Sequence, residues 1–341
     1  MRSGILIERI LHMRATLSIV VAFALHAGSV TAQAPAAGSV PGYPAKPVRF
    51  VVPFAPGGGV DISSRILGQR MGEQSGYKVI VDNRPGANGN LGAEIVAKAP
   101  PDGYTLLMSA VTLQIINSAL YAKLPYDLMR DFVPISLTTY SPLFLATHPS
   151  LPVKTAKEFI ALAKTRPGKL NYGSSGTGSS LHLAGVMFDK ATGIKTVHVP
   201  YKGGGPAMVD LAAGHIEFSW PLLAIVQQFV DSGKVRLLGV AALKRYPDLP
   251  SVPTLAEQGV AGFEAETVYG VMVPAATPRA IQEKLNVDVV KALGAPDMRK
   301  KMQEQGMVPQ PTTQEEFARY LQQNVVKYTK VVKESGIQVD F

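Results

Sequence analysis

The chain has 341 residues, 46% of them hydrophobic and 17% charged, which fits two globular domains of ordinary size and excludes a disordered chain. It contains no cysteine, so disulfides, thiolate metal sites and a cysteine nucleophile are excluded. Its 34 basic and 25 acidic residues leave a net charge of +9, scattered in short groups such as Arg299-Lys300-Lys301; a nucleic-acid face needs basic clustering with interleaved aromatics, whereas this pattern gives a solvated surface with a mild pull on small anions.

At the N-terminus, Arg14 precedes the apolar run Leu17 to Leu25 and the small residues Val30-Thr31-Ala32. A basic start, a short apolar core and a small-residue cleavage site form a secretory signal. Residues 1–32 are therefore read as a signal peptide cleaved near Ala32, with Met1 or Met13 as the start. The run is too short for a membrane span. Residues 33–44, rich in Ala, Pro and Gly, form a flexible leader.

Pro47 to Val52 is predicted as the first strand. It runs into Pro53-Phe54-Ala55-Pro56-Gly57-Gly58-Gly59, and a helix follows to about Ser75 with Ile62, Ile66, Leu67 and Met71 on one face. Glycines leave the backbone amides uncovered, and the first N–H groups of a helix have no internal acceptor, so this loop is a candidate anion site. Asp61 is placed to cap that helix. A second strand (78–81), a turn-rich loop (82–90), a helix (91–99) and a third strand (104–108) follow. Ser109 falls just past that strand. Ligands of open α/β sheets bind beyond the carboxyl ends of strands, so Ser109 joins the glycine loop as a candidate.

The run 134–147 leads into a second βαβ domain. The capping box Thr155-Ala156-Lys157-Glu158 starts a helix there. Strands are read at 170–173, 198–201, 216–220 and 235–240, with helices at 181–190, 207–213 and 223–232. The loop Ser174-Ser175-Gly176-Thr177-Gly178-Ser179-Ser180 puts hydroxyls and glycines at a helix N-terminus, where several donors can meet one oxyanion. A return strand at 267–273, a helix opened by Pro278 and a long helix after the capping box Thr313-Gln314-Glu315-Glu316 complete the chain. Two crossings between domains give the layout of a hinged clamp. The segment Val199-Pro200-Tyr201-Lys202-Gly203-Gly204-Gly205 echoes the first glycine loop.

None of these motifs specifies a chemistry alone. The glycine loop lacks the Gly-Lys-Ser/Thr of a P-loop and the third glycine of the dinucleotide fingerprint, so by itself it is equally a structural turn. The serine loop lacks the Gly-x-Ser-x-Gly elbow of hydrolases. His182 is close to it in sequence but more readily caps a helix, and the other histidines lack metal-ligand spacing. Lys202 is equally a counter-charge or a solvated lysine, and Trp220 equally core or cavity lining.

The sequence resembles the Bug-type solute-binding proteins of tripartite tricarboxylate transporters. The resemblance is carried in order by Pro44-Ala45-Lys46-Pro47, Val52 to Gly59 with Asp61, Asn83-Arg84-Pro85-Gly86-Ala87, Pro101-Asp102-Gly103-Tyr104-Thr105-Leu106, Leu124-Pro125-Tyr126-Asp127, Pro167 to Tyr172, Val197 to Gly203 and Val252-Pro253-Thr254. It implies an α/β, two-domain "Venus flytrap" of the type II-like class, each domain a mixed or parallel sheet flanked by helices. The domains are expected at 33–147 plus 274–341 and at 148–273. It implies a periplasmic, non-enzymatic, monomeric protein without cofactor or metal. Such a protein captures a small carboxylate, whether a di- or tricarboxylate or an aromatic acid, and delivers it to membrane permease subunits.

Carried over, the ligand-binding residues are Phe54, Ala55, Pro56, Gly57, Gly58 and Asp61, then Ser174, Ser175, Gly176, Thr177 and Ser180, with Lys202 and Gly203 in a third loop. Pro221-Leu222 stands where relatives often carry a polar pair, and Val268 where they often carry tryptophan. If those positions face the far end of the ligand, that end is less polar here, which favours an aromatic or longer apolar acid. Selectivity is then expected at Trp220 and Tyr269. A sensor for a membrane kinase is the alternative reading, followed by a secreted serine hydrolase using Ser174, Ser175 or Ser180.

Overall fold

The computed structural model describes residues 40–337, all within one compact unit. The signal segment with its cleavage point lies outside the described residues.

In chain order the first half comprises β1 (Val48–Val52), α1 (Gly59–Ser75), β2 (Val79–Asn83), a 3-10 turn (Ala87–Gly89), α2 (Asn90–Ala97), β3 (Thr105–Ala110), α3 (Val111–Leu120), β4 (Phe132–Pro142), β5 (Phe144–Thr147) and α4 (Ala156–Thr165). Then follow β6 (Asn171–Ser174), α5 (Ser180–Thr192), β7 (Val197–Pro200), α6 (Gly204–Ala213), β8 (Phe218–Ser219), α7 (Leu223–Asp231) and β9 (Arg236–Val240). The chain closes with β10 (Glu266–Pro274), α8 (Arg279–Leu293), α9 (Pro296–Gln303), β11 (Val308–Pro309) and α10 (Gln314–Ser335).

Two sheets organise these elements. The first has the order β11-β4-β10-β3-β1-β2, and the second β7-β6-β8-β5-β9. In the first, β1 pairs in parallel with β2 and β3, while β10 runs antiparallel to both β3 and β4. In the second, β6 pairs in parallel with β7 and β8, and β5 runs antiparallel to β8 and β9. Both sheets are mixed. Neither is wholly parallel as the strand–helix alternation alone suggests, because β10 and β5 enter as connections from the opposite sheet.

The period-2 alternation of strands sorts side chains onto two faces. Phe50 and Val52 of β1 pack with Leu67 and Met71 of α1 and Leu285 and Val289 of α8, while Val51 faces Val96 of α2 and Ile115 of α3. The second sheet repeats this. Leu145 and Tyr172 meet Phe159 and Phe188 on one face, and Phe144 and Ala146 meet Met208 and Val226 on the other. Each fully buried side chain of this kind contributes roughly 1.5–3 kcal/mol. The four helical layers hold the carboxyl ends of the strands in place, and the loops there form the site.

The chain leaves the first sheet between Pro142 and Phe144 and rejoins it at Glu266. Sheet membership therefore puts 144–147 with the second sheet and 266–273 with the first, against the expected boundaries at 147/148 and 273/274. The C-terminal part also supplies a strand, β11, at the edge of the first sheet. Its long helix α10 packs Phe317 and Leu321 against Val111 and Ile115.

Candidate ligand-binding cleft

A cleft of about 500 Å³ lies between the two sheets, within the range of small-molecule sites. Its walls come from the loops at the strand ends. Helices α1, α5 and α6 begin there, with N-cap residues Gly58, Ser179 and Gly203 on its surface. Gly58 and Gly203 provide no side-chain cap. The leading N–H groups of these helices have no intrahelical acceptor, and each helix end carries a partial positive charge. No lysine, arginine, histidine or carboxylate lines the cleft among the described residues. Main-chain donors and hydroxyls therefore make it an anion site without a buried cation.

The glycine loop is held from behind. Asp61 is buried in the first turn of α1 and accepts the Gly57 N–H at 2.9 Å. It does not cap the helix from in front, as the sequence suggested, but reaches back from inside it. Arg65 donates to both carboxylate oxygens, at 3.1 and 2.9 Å. Asn83, at the end of β2, donates to the Phe54 carbonyl at 3.0 Å. Burial pushes the Asp61 pKa up, but the hydrogen bonds from Arg65, Gly57 and Asn83 outweigh it and hold the carboxyl below the usual range.

The serine loop has its own support. Ser174 is fully buried at the end of β6; its hydroxyl lies 2.6 Å from His198 Nε2 and accepts the Gly176 N–H at 3.1 Å. The imidazoles of His182 and His198 stack with centroids 3.6 Å apart and planes 8° from parallel. His182 Nδ1 accepts the Gly178 N–H at 3.1 Å, so that nitrogen carries no proton. Ser179 caps α5 by accepting the His182 N–H. Burial depresses His182 to about 3, helped by His198, and His198 to about 4. The pair is neutral at physiological pH. Ser174 and His198 stand at a nucleophile–base distance, but the hydroxyl is shut away from the cleft.

Of the expected residues, Phe54, Ala55, Pro56, Gly57, Gly58, Ser175, Ser180, Gly203 and Tyr269 line the cleft. Asp61 and Ser174 stand behind it, and Gly176, Thr177 and Lys202 are not on its surface; Thr177 and Lys202 point to solvent. Ser109 is fully buried inside β3, accepting a hydrogen bond from Gln114. β3 runs two residues further than the periodicity indicated, so Ser109 is a strand residue facing the core. Trp220 is also fully buried, its ring 5.0 Å from Phe188 and 5.7 Å from Phe263.

Several lining residues carried no sequence signal. Asn88, Leu113, Ile225 and Thr267 are brought in by tertiary packing, beside Leu222, which the resemblance had singled out. The Thr267 and Ser180 hydroxyls lie 3.0 Å apart and join β10 of the first sheet to α5 beside the second. Gly59 leaves room for Tyr269, whose hydroxyl would stand 2.7 Å from a Cβ there.

Two mixed α/β layers with an anion-seeking cleft between them define a two-domain periplasmic binding protein. The family described as "Tripartite tricarboxylate transporter family receptor" matches residues 63–337, and the chain belongs to that family, in its Bug-type branch. It is 34% identical over 298 residues to Protein BugT of Bordetella pertussis, covering 87% of this chain and 91% of that one. Among solved structures it is similar to R. palustris Rpa4515 with adipate, at 35% identity and a TM-score of 0.79, covering 87% and 99% of the two chains. MatC (Rpa3494) from Rhodopseudomonas palustris with bound malate aligns at 31% identity and a TM-score of 0.74, covering 85% and 100%. The family is one of receptors and not of enzymes, which sets aside the serine hydrolase reading.

Proposed function

We propose that this protein is a periplasmic receptor that captures a small carboxylate between its two sheets and delivers it to the membrane permease subunits of a tripartite tricarboxylate transporter. The observation that carries this reading is the convergence of the α1, α5 and α6 N-termini, from both sheets, on a cleft without charged side chains. Phe54 to Gly58 supply one half of the seat, and Ser175, Ser180 and Gly203 the other. Asp61 and Ser174 position those loops. The adipate and malate held by the two solved relatives support a carboxylate as the ligand.

Magnitudes agree. A hydrogen bond to a charged group contributes roughly 1.5–3 kcal/mol net. A micromolar ligand needs about 8 kcal/mol after the cost of lost freedom. Five or six aimed N–H and O–H groups reach that figure.

The mature protein, freed of co-purified ligand, is tested by thermal shift against mono-, di- and tricarboxylates. A bound ligand at about 100 times its Kd raises stability by about 2.7 kcal/mol. No shift with any carboxylate at millimolar concentration would sink the reading.

A further inference from the structure

One wall of the cleft is apolar side chain. Ile225 of α7 and Leu181 of α5 close over the first turn of α6. A Cβ on Gly204 would stand 3.0 Å from Ile225 Cδ1 and 3.9 Å from Leu181 Cδ2. Leu222 extends this wall. The N-terminus of α7 lies here too, but the Gly306 backbone covers it. A Cβ on Gly306 would stand 3.1 Å from Ala224 N and 3.2 Å from Leu223 Cβ. Ser141 fixes that segment by donating to the Gly306 carbonyl at 3.0 Å.

The polar side chains of the lining are largely committed to one another. Ser180 and Thr267 share a hydrogen bond, and the Asn88 amide donates to Asn117. A hydroxyl has a single proton, so the first pair retains one between them. The remaining donors are the leading N–H groups of α1, α5 and α6 with the hydroxyls of Ser175, Ser179 and Tyr269, all at or beside those helix starts. The lining holds no cation for a second carboxylate, and one laid on the Leu181, Leu222 and Ile225 side chains would be desolvated against apolar carbon, which is unfavourable.

We propose that the cleft selects a monocarboxylate with an aromatic or branched aliphatic body, and that Leu181, Leu222 and Ile225 are its specificity-determining residues. This rests on the carboxylate reading above. The body of the ligand replaces water along the leucine and isoleucine wall, while its one charge stays at the helix ends. Selection against malate and citrate follows from what the wall withholds, since a site rejects a charge most effectively by leaving it unpaired.

Isothermal titration of the ligand-free protein with benzoate, 4-methylpentanoate, malate and citrate decides the matter. Benzoate or 4-methylpentanoate is expected to bind at least about 30-fold more tightly than malate or citrate. Ile225→Arg, at a half-buried position, is expected to weaken the monocarboxylate at least about 10-fold and strengthen malate by a similar factor. The melting temperature of ligand-free Ile225→Arg checks that it folds, and the wild-type ranking stands as a test without it. If malate or citrate binds as tightly as the monocarboxylates, the specificity inference falls and the carboxylate reading survives. If no carboxylate binds, both fall.

Discussion

Asp61 never reaches the cleft, yet the shape of the cleft depends on it. Replacing it with alanine leaves the Gly57 N–H without its acceptor and the Arg65 guanidinium with only the 3.4 Å contact to Asn83 Oδ1. Asp61→Ala is expected to weaken ligand binding about 10-fold through a loosened loop, and titration calorimetry reads the loss. The stacked histidines make a different prediction. Histidine in an unfolded chain titrates near 6.5, whereas burial holds His182 near 3 and His198 near 4. Below about pH 6.5 the unfolded chain takes up protons that the folded one refuses. Their contribution is therefore complete above that pH and declines as pH falls toward 4. Urea unfolding at pH 7 and pH 5 should differ by roughly 1–3 kcal/mol from this pair, with His198 discounted for its partial exposure. His198→Gln should shrink the difference; an unchanged difference would assign it elsewhere. At this scale the sequence was an uneven guide. It marked Phe54, Gly58 and Ser175 because each sits in a recognisable loop, and Tyr269 only through the resemblance, since it lies within β10. It misplaced Ser109 because β3 continues past it instead of ending in a loop, and Trp220 because packing against Phe188 and Phe263 takes it into the core.

Two helices that do not line the cleft, α4 and α10, start where their capping residues predict. Thr313 and Glu316 form the complete capping box, and Thr313→Ala should cost about 1 kcal/mol, read as a lower urea midpoint. Thr155 caps α4, but Glu158 reaches back to the Lys154 N–H rather than to Thr155 itself. Pro278 stands at the N-cap of α8 and not at its first helical position. Short elements were harder to read. β11 has two residues and α9 only eight, too few to show a period, and both are held by packing against neighbours. Gly59 shows why the glycine loop has its composition. Its backbone needs no special torsion; it needs space beside Tyr269. Gly59→Ala is expected to lower stability by roughly 1–3 kcal/mol and to abolish binding, and Tyr269→Phe added to it should recover part of the stability but not the affinity. Equal stability of Gly59→Ala and wild type would show that Tyr269 can move aside.

Across the whole molecule, the cleft is where two halves of the sequence meet. The glycine and serine loops on either side of it were legible, because glycines and hydroxyls at helix starts form a local pattern. Ile225 and Thr267 were not, because only the arrangement of two sheets brings them there, and Leu222 was marked only by the resemblance. The Ser180–Thr267 contact is the point where opening can be tested. The chain has no cysteine of its own, so Ser180→Cys/Thr267→Cys introduces a single possible disulfide. Its oxidised form should stop ligand exchange, and reduction should restore it. Exchange at the wild-type rate with the bridge formed would rule out opening along this edge. The seat is drawn largely in peptide N–H groups, and a codon change alters a side chain while leaving the peptide group in place, proline excepted. The apolar wall of Leu181, Leu222 and Ile225 is side chain throughout. Descendants of this gene can therefore exchange their cargo by rewriting a few wall codons, and the grip on the carboxylate is inherited unchanged.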